Sequence, residues 1–267
     1  MGLIHRATRS ARFRLPFWVV LPTLLACSAG PTNTGLALDP GVADGAAPAT
    51  PAANHALSFS GASEYATTAT GGFPAGNTPQ TISMWIRYAA AANTQALFVL
   101  HNDSGGGLKL GLRSGKLAAW TIKEGATLVA APTLPTPNKW HHVAYVFDGS
   151  KNILYIDGKE VASSTALQNW NPYFSSWLGS TDGLYEFFAG AMDEVRFWSV
   201  ARSAAQIDKE MAGKVSPTEK GLLLYLDCNE VIGSRLPDQS PNGNDATLGG
   251  GDPRRMPTLI PSDVPSH

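Results

Sequence analysis

The chain has 267 residues, with 20 Lys and Arg against 21 Asp and Glu. That near-neutral balance does not point to a nucleic-acid-binding protein. Only two cysteines are present, Cys27 and Cys228.

Residues 1–27, "MGLIHRATRSARFRLPFWVVLPTLLAC", set Arg6, Arg9, Arg12 and Arg14 ahead of an apolar run from Leu15 to Leu25. Charge followed by apolar residues is the order of an export signal. The run is 11 residues long, well short of the about 20 apolar residues that span a membrane as a helix. Its end, Leu24-Leu25-Ala26-Cys27, resembles the lipobox of bacterial lipoproteins. That resemblance implies acylation of Cys27, which becomes the new N-terminus. Ser28 stands where an aspartate would imply retention at the inner membrane, so the expected destination is the outer membrane or cell surface. Removing four arginines and no acids leaves 16 basic side chains against 21 acidic ones. With Cys27 acylated, Cys228 has no intrachain disulfide partner, and the fold must rest on its apolar core. Residues 28–55 are rich in Ala, Pro, Gly and Thr and lack hydrophobic periodicity, which predicts a disordered tether.

From Ala56 the chain breaks into short aromatic and β-branched runs separated by Gly, Asn, Asp and Pro clusters, the pattern of an all-β sandwich. "ALSFSG", "QTISMWIRY", "QALFVLHN", "LKLGLRSGKLAAWTI", "WHHVAYVFD", "NILYIDGKEVASS", "SSWLGST", "GAMDEVRFW" and "GLLLYLD" read as strands. In the second of these Ile82, Met84 and Ile86 share one face, and Ser83, Trp85 and Arg87 the other. Asp157-Gly158 announces a hairpin. One helix is predicted over Ser199 to Met211, with Val200, Ala204, Ile207 and Met211 on one side. In the strand that follows, Leu222, Leu224, Leu226 and Cys228 fall on one face. Residues 251–267 read as a disordered tail. The predicted architecture is a two-sheet antiparallel jelly-roll sandwich with one short helix near the C-terminus.

"ALSFSGASEYA", "TISMWIRY", "KWHHVAYVFDGSKNILYIDGKEVA", "GAMDEVRFWSVARSAAQI" and "GLLLYLDCNEVIGSRLPDQSPNGNDATL", in that order, resemble the laminin-G-like domains of the concanavalin A-like lectin and glucanase superfamily, over residues 56–250. The resemblance implies that the last motif returns as a strand completing a sheet beside the N-terminal strand, followed by a turn over Asp238 to Leu248. It also sets Cys228 where the family carries a large apolar residue, so Cys228 reads as a small buried hydrophobe.

Glycoside hydrolases of that superfamily need two carboxylates facing each other across the sugar. The nearest pair here, Asp193 and Glu194, is adjacent and predicted to point to opposite faces. His141 and His142 likewise face opposite sides, and no histidine stands at metal-ligand spacing from Cys228. No catalytic residue is assigned. The resemblance implies a structural calcium, held between the first strand and Asp193 by hard oxygen ligands. Ser60 replaces the family's first aspartate, Gly61 follows it, and Glu64 lies nearby in sequence, so the candidate metal residues are Asp193, Ser60 and Gly61. Trp170, Tyr173, Phe174, Trp177, Tyr185, Phe187 and Phe188 could stack on sugars or fill the core. The sequence thus predicts a lipid-anchored, non-catalytic binding or adhesion module of the cell envelope. It would be held to the membrane by its N-terminal lipid and would recognise a glycan or a protein surface. The alternatives are a glycoside hydrolase with displaced carboxylates and a structural envelope protein.

Overall fold

The computed structural model describes residues 53–74, 78–90, 93–102, 106–166 and 173–265. The signal segment with Cys27, most of the tether and Trp170 lie outside these residues, as does the side chain of Phe174. Among the described residues sixteen strands and one α-helix follow in chain order. The strands are β1 (His55–Ser60), β2 (Ala66–Thr68), β3 (Gln80–Tyr88), β4 (Gln95–Asn102), β5 (Gly107–Arg113), β6 (Lys116–Thr121), β7 (Thr127–Ala130), β8 (His141–Phe147), β9 (Asn152–Ile156), β10 (Lys159–Ser164), β11 (Tyr173–Leu178) and β12 (Ala189–Trp198). After α1 (Ala204–Met211) come β13 (Leu222–Leu226), β14 (Arg235–Leu236), β15 (Ala246–Leu248) and β16 (Thr258–Pro261).

The strands form two antiparallel eight-stranded sheets. The first runs β10-β9-β8-β3-β12-β1-β16, with β13 also on β12, and the second runs β14-β15-β2-β11-β4-β5-β6-β7. Alternation explains the sandwich. Ile82, Met84 and Ile86 of β3, Val143, Tyr145 and Phe147 of β8, and Met192, Val195 and Phe197 of β12 all turn into one core. From the second sheet they meet Phe98, Leu100, Leu108, Leu110 and Leu112. All eight residues of β4 are buried, not only its inward ones. The reason is the loop 180–188, which folds back over this sheet: Lys109 Nζ lies 2.6 Å from Glu186 Oε2, and Ala96 N–H donates to the Glu186 carbonyl at 2.8 Å.

Four expectations need correction. Residues 251–265 are not a tail, since β16 pairs along β1 from His55↔Pro261 to Ser58↔Thr258. The edge of β1 would otherwise be bare, and covering it removes a row of unpaired backbone groups. The helix is shorter than predicted and starts after Ser203, whose backbone and side chain form a capping box with Gln206. The residues before it are held otherwise: Arg202 N–H donates to Thr81 Oγ1, and Thr81 Oγ1 donates to the Val200 carbonyl. Finally, β13 does not lie beside β1. Both use the same edge of β12 end to end, β1 against Ala189–Met192 and β13 against Val195–Trp198. A register shift at Trp198 also takes Leu222 out of the face it was expected to share: Leu224, Leu226 and Cys228 enter the main core, while Leu222 packs with Trp198, Val215 and Tyr225.

Between these two segments β12 bulges. Asp193 pairs Trp85 and Arg196 pairs Ser83, so one extra residue is fitted in, and Glu194 takes φ 54°. The turn after β13 is fixed by Asp238. Its Oδ1 accepts N–H groups from Tyr225 (2.8 Å) and Ser240 (2.9 Å), and its Oδ2 accepts from Asn244 N (2.9 Å) and Ser240 Oγ (2.8 Å). Asn244 then ties Gly71 to the Leu223 carbonyl.

Candidate functional site: a groove on the outer face of the first sheet

The outward residues of β3, β12, β1 and β16 differ sharply from one end of the strands to the other. At one end α1 lies across the sheet: Ile207 packs on Ala144, Val146 and Tyr155, and Glu210 accepts from Ser83 Oγ and from Arg202 Nε at 2.8 Å. At the other end no element among the described residues covers the face. The register there puts Arg87 against Ala191, Ala191 against Ser58, and Ser60 against Ala189. The outward phase thus supplies only small side chains across two strands, and they floor a groove of about 260 Å³.

One wall is polar. The guanidinium of Arg87 lies over the Trp140 ring, 5.0 Å from its centre, and both residues are half-buried. Asn138 stands beside them at φ 60°, its N–H donating to the Tyr88 carbonyl at 2.8 Å. The loop carrying Asn138 and Trp140 is fastened at three points. Tyr88 Oη donates to the Pro135 carbonyl, and the His141 ring lies 3.1 Å from the Thr136 carbonyl and 2.7 Å from Asp157 Oδ2. The wall is therefore set before any ligand arrives, which lowers the ordering cost of binding.

The predicted metal residues are not brought together. Ser60 sits opposite Ala189, four residues along β12 from Asp193, which at the strand rise is roughly 13 Å. Ser60 Oγ donates instead to Glu64, at 2.8 and 2.7 Å to its two oxygens, and Gly61 packs against Ala189. Asp193 accepts from Ser262 Oγ at 2.6 Å and from Glu194 N–H at 2.8 Å. Among the described residues no group of three or more His, Cys, Asp or Glu could hold a metal ion.

Nor do Asp193 and Glu194 face opposite sides of the sheet as strict alternation predicts, because the bulge breaks the period. Both find partners away from the main core: Asp193 in Ser262, and Glu194 in the Arg196 guanidinium and the Tyr225 hydroxyl, which donates at 2.9 Å. Both are fully buried. Burial pushes the Asp193 carboxyl up to about 8, against the hydrogen bond from Ser262, and raises Glu194 against the pull of Arg196. Burial likewise pushes His142 down to about 3, with Arg196 adding to it, and raises the Cys228 thiol well above its ordinary value. Cys228 is thus the buried hydrophobe expected, and no nucleophile.

The aromatics divide. Tyr173 and Phe188 belong to the core, Trp177 and Phe187 are half-buried, and Tyr185 is exposed at the tip of the loop over the second sheet. The wall of the groove, Arg87 with Asn138, was not among the sequence candidates. Its sequence signal was the outward phase of "MWIRY" followed by small residues on the outward phase of "SFS" and "AGA", which becomes a groove only when the strands are placed side by side.

The family model of Laminin_G_3, in the concanavalin A-like lectin/glucanases superfamily, matches residues 60–208, and the chain belongs to that family. A candidate carbohydrate-binding protein from Bacteroides ovatus has the same fold, with a TM-score of 0.60 at 21% identity over 80% of this chain. This chain covers 62% of that protein's length. The native heptameric SAP-like pentraxin of Limulus polyphemus gives a TM-score of 0.47 at 14% identity, over 82% of this chain and 98% of its own. Domains LG4-5 of the mouse laminin alpha1 chain give 0.45 at 17% identity, over 57% of this chain and 43% of theirs. A search of curated proteins finds no match.

Proposed function

We propose that this chain is a non-catalytic glycan-binding module of the cell envelope, anchored to the outer membrane or cell surface through a lipid on Cys27. The observation that carries the binding reading is the groove: a stretch of sheet with a floor of Ser58, Ser60, Ala189 and Ala191 and a prefastened wall of Arg87 and Asn138, with Arg87 backed by the Trp140 ring. At about 260 Å³ it falls below the roughly 300–1,000 Å³ of pockets that enclose a drug-sized ligand, so it suits one sugar unit of a longer chain. Small floor side chains let such a unit approach the backbone, and the wall offers donors for hydroxyl groups. The burial of Asp193 and Glu194, each already engaged, supports binding without hydrolysis. The common fold with the Bacteroides ovatus protein is compatible with this role but does not carry it.

A glycan array probed with the full chain and with Trp140→Ala tests the reading. Binding to a glycan class that is lost in Trp140→Ala is expected, and an array with no bound glycan overturns it in favour of a protein partner. Release of reducing sugar from any bound glycan would restore the hydrolase alternative. For the anchor, Cys27→Ala is expected to move the protein from the detergent phase to the soluble fraction. Unchanged partitioning refutes lipidation at Cys27.

A further inference from the structure

Resting on that reading, we infer that the groove selects saccharides carrying a carboxylate, such as uronic acid units, and that Arg87 is the residue that grips it. Arg87 is half-buried on the groove wall, and among the described residues no ion pair involves it. Every other arginine at or under this face is matched: Arg196 by Glu194, and Arg202 by both Glu210 and Glu219. The contact Arg87 does have is with the Trp140 face, 5.0 Å from the ring centre, while Arg87 itself lines the groove. A guanidinium is a planar fork that matches a carboxylate by two parallel N–H donors, a geometry that an ammonium or a hydroxyl does not reproduce.

The opposite end of the groove points the ligand. Ser60 there is bonded to Glu64, whose carboxyl is held below its ordinary range by these hydrogen bonds despite partial burial, and so it is ionised. A second carboxylate placed at that end would meet like charge. The acid group therefore lies at the Arg87 and Asn138 end, and the sugar's hydroxyl edge lies over Ser58 and Ser60.

The test is titration calorimetry of the full chain with oligomers of galacturonate, glucuronate and mannuronate, their methyl esters, neutral oligomers of equal length, and poly-glutamate. The expected result is binding of at least one acid oligomer, weakened about tenfold or more by esterification and by Arg87→Gln. Arg87→Lys should recover only part of it, and the melting of both variants should match the parent. Esters or neutral oligomers that bind as well as the acids, with binding lost when Ser58→Leu fills the floor, would overturn the carboxylate inference and leave glycan binding in the groove standing. Poly-glutamate binding as tight as the saccharides would overturn saccharide selectivity. No binding by any saccharide would overturn the inference together with the reading beneath it.

Discussion

The two ends of β3 and β12 face the same way out of the same sheet, yet one is sealed and the other open. At the sealed end the outward residues are Ser83, Arg196 and Trp198, and α1 closes that end with Glu210 on Ser83 and Ile207 on Ala144, Val146 and Tyr155 beside it. At the open end they are Arg87, Ala191 and Ala189, flanked by Ser58 and Ser60 of β1. The bulge at Asp193–Glu194 marks the boundary, and β12 changes partner there from β1 to β13. A charge at the sealed end must be paired because water cannot reach it; the charge at the open end stays unpaired because water, or a ligand, can. The same residue type, arginine, is structural at one end and available at the other.

The largest break in this contrast is Glu210→Ala. Arg202 would lose one of its two carboxylates and Ser83 its acceptor, both under the helix. Removing one member of a buried pair costs about 3–5 kcal/mol, read from the denaturant midpoint. Arg87→Gln at the open end should stay within about 0.5 kcal/mol. Equal losses from the two variants would mean that the open end is also structural.

Next in size is Asp238→Ala. Four hydrogen bonds converge on this one carboxylate, and the turn it organises holds β13 in place at the sealed end. Leaving those donors without an acceptor is expected to cost about 1–3 kcal/mol, with Asn recovering part of it. A loss below 0.5 kcal/mol would mean that the turn holds itself.

The strands of both sheets were legible because inward residues repeat with period two, and the turn after β13 was legible from its Asp, Asn and Gly. What was not legible has physical causes. β14, β15 and β16 are two to four residues long, too short for alternation to show. β16 lies in a stretch rich in Gly, Pro and Arg, where composition alone argues for a tail. The bulge has Glu194 at positive φ, where Gly or Asn would have announced it. The groove is a property of register: serine and alanine on an outward phase look the same whether they face bulk water or line a site. The separation of the expected calcium residues is likewise a matter of register, since Ser60 and Asp193 are on neighbouring strands but four positions apart in pairing.

A pH series probes the boundary itself. Asp193 has a folded pKa of about 8, above its ordinary 3.8, so the folded state holds the proton more tightly and this contribution is lost as pH rises through 8. His142, at about 3 in the fold against 6.5, acts the other way, and its contribution is lost as pH falls below 6.5. The two oppose each other from about pH 4 to 6.5; above that, Asp193 leads. Stability should therefore fall by roughly 1–2 kcal/mol between pH 6.5 and 8, and Asp193→Asn should flatten that fall. A slope unchanged in Asp193→Asn would assign it to another group, with Glu194 and Cys228 the nearest buried acids.

The smallest effect on stability is expected from Ser58→Leu, and it separates fold from function most cleanly. Ser58 is half-buried on the open floor, its side chain makes no hydrogen bond among those of the described residues, and its backbone stays within the β1 ladder. Leucine there adds volume where nothing is packed, so the change in stability should stay within about 0.5 kcal/mol. The same substitution at Ser83, under α1, would force extra methylenes against Glu210 and leave that carboxylate without a donor, at a cost of about 1–3 kcal/mol from overpacking alone. Ser58→Leu should instead abolish glycan binding by occupying the space above Ala191. If Ser58→Leu destabilises as Ser83→Leu does, the two ends of the sheet are alike and the groove is a packing feature. If it leaves both stability and binding intact, the ligand sits elsewhere on the molecule, and the exposed Tyr185 loop over the second sheet becomes the surface to mutate next.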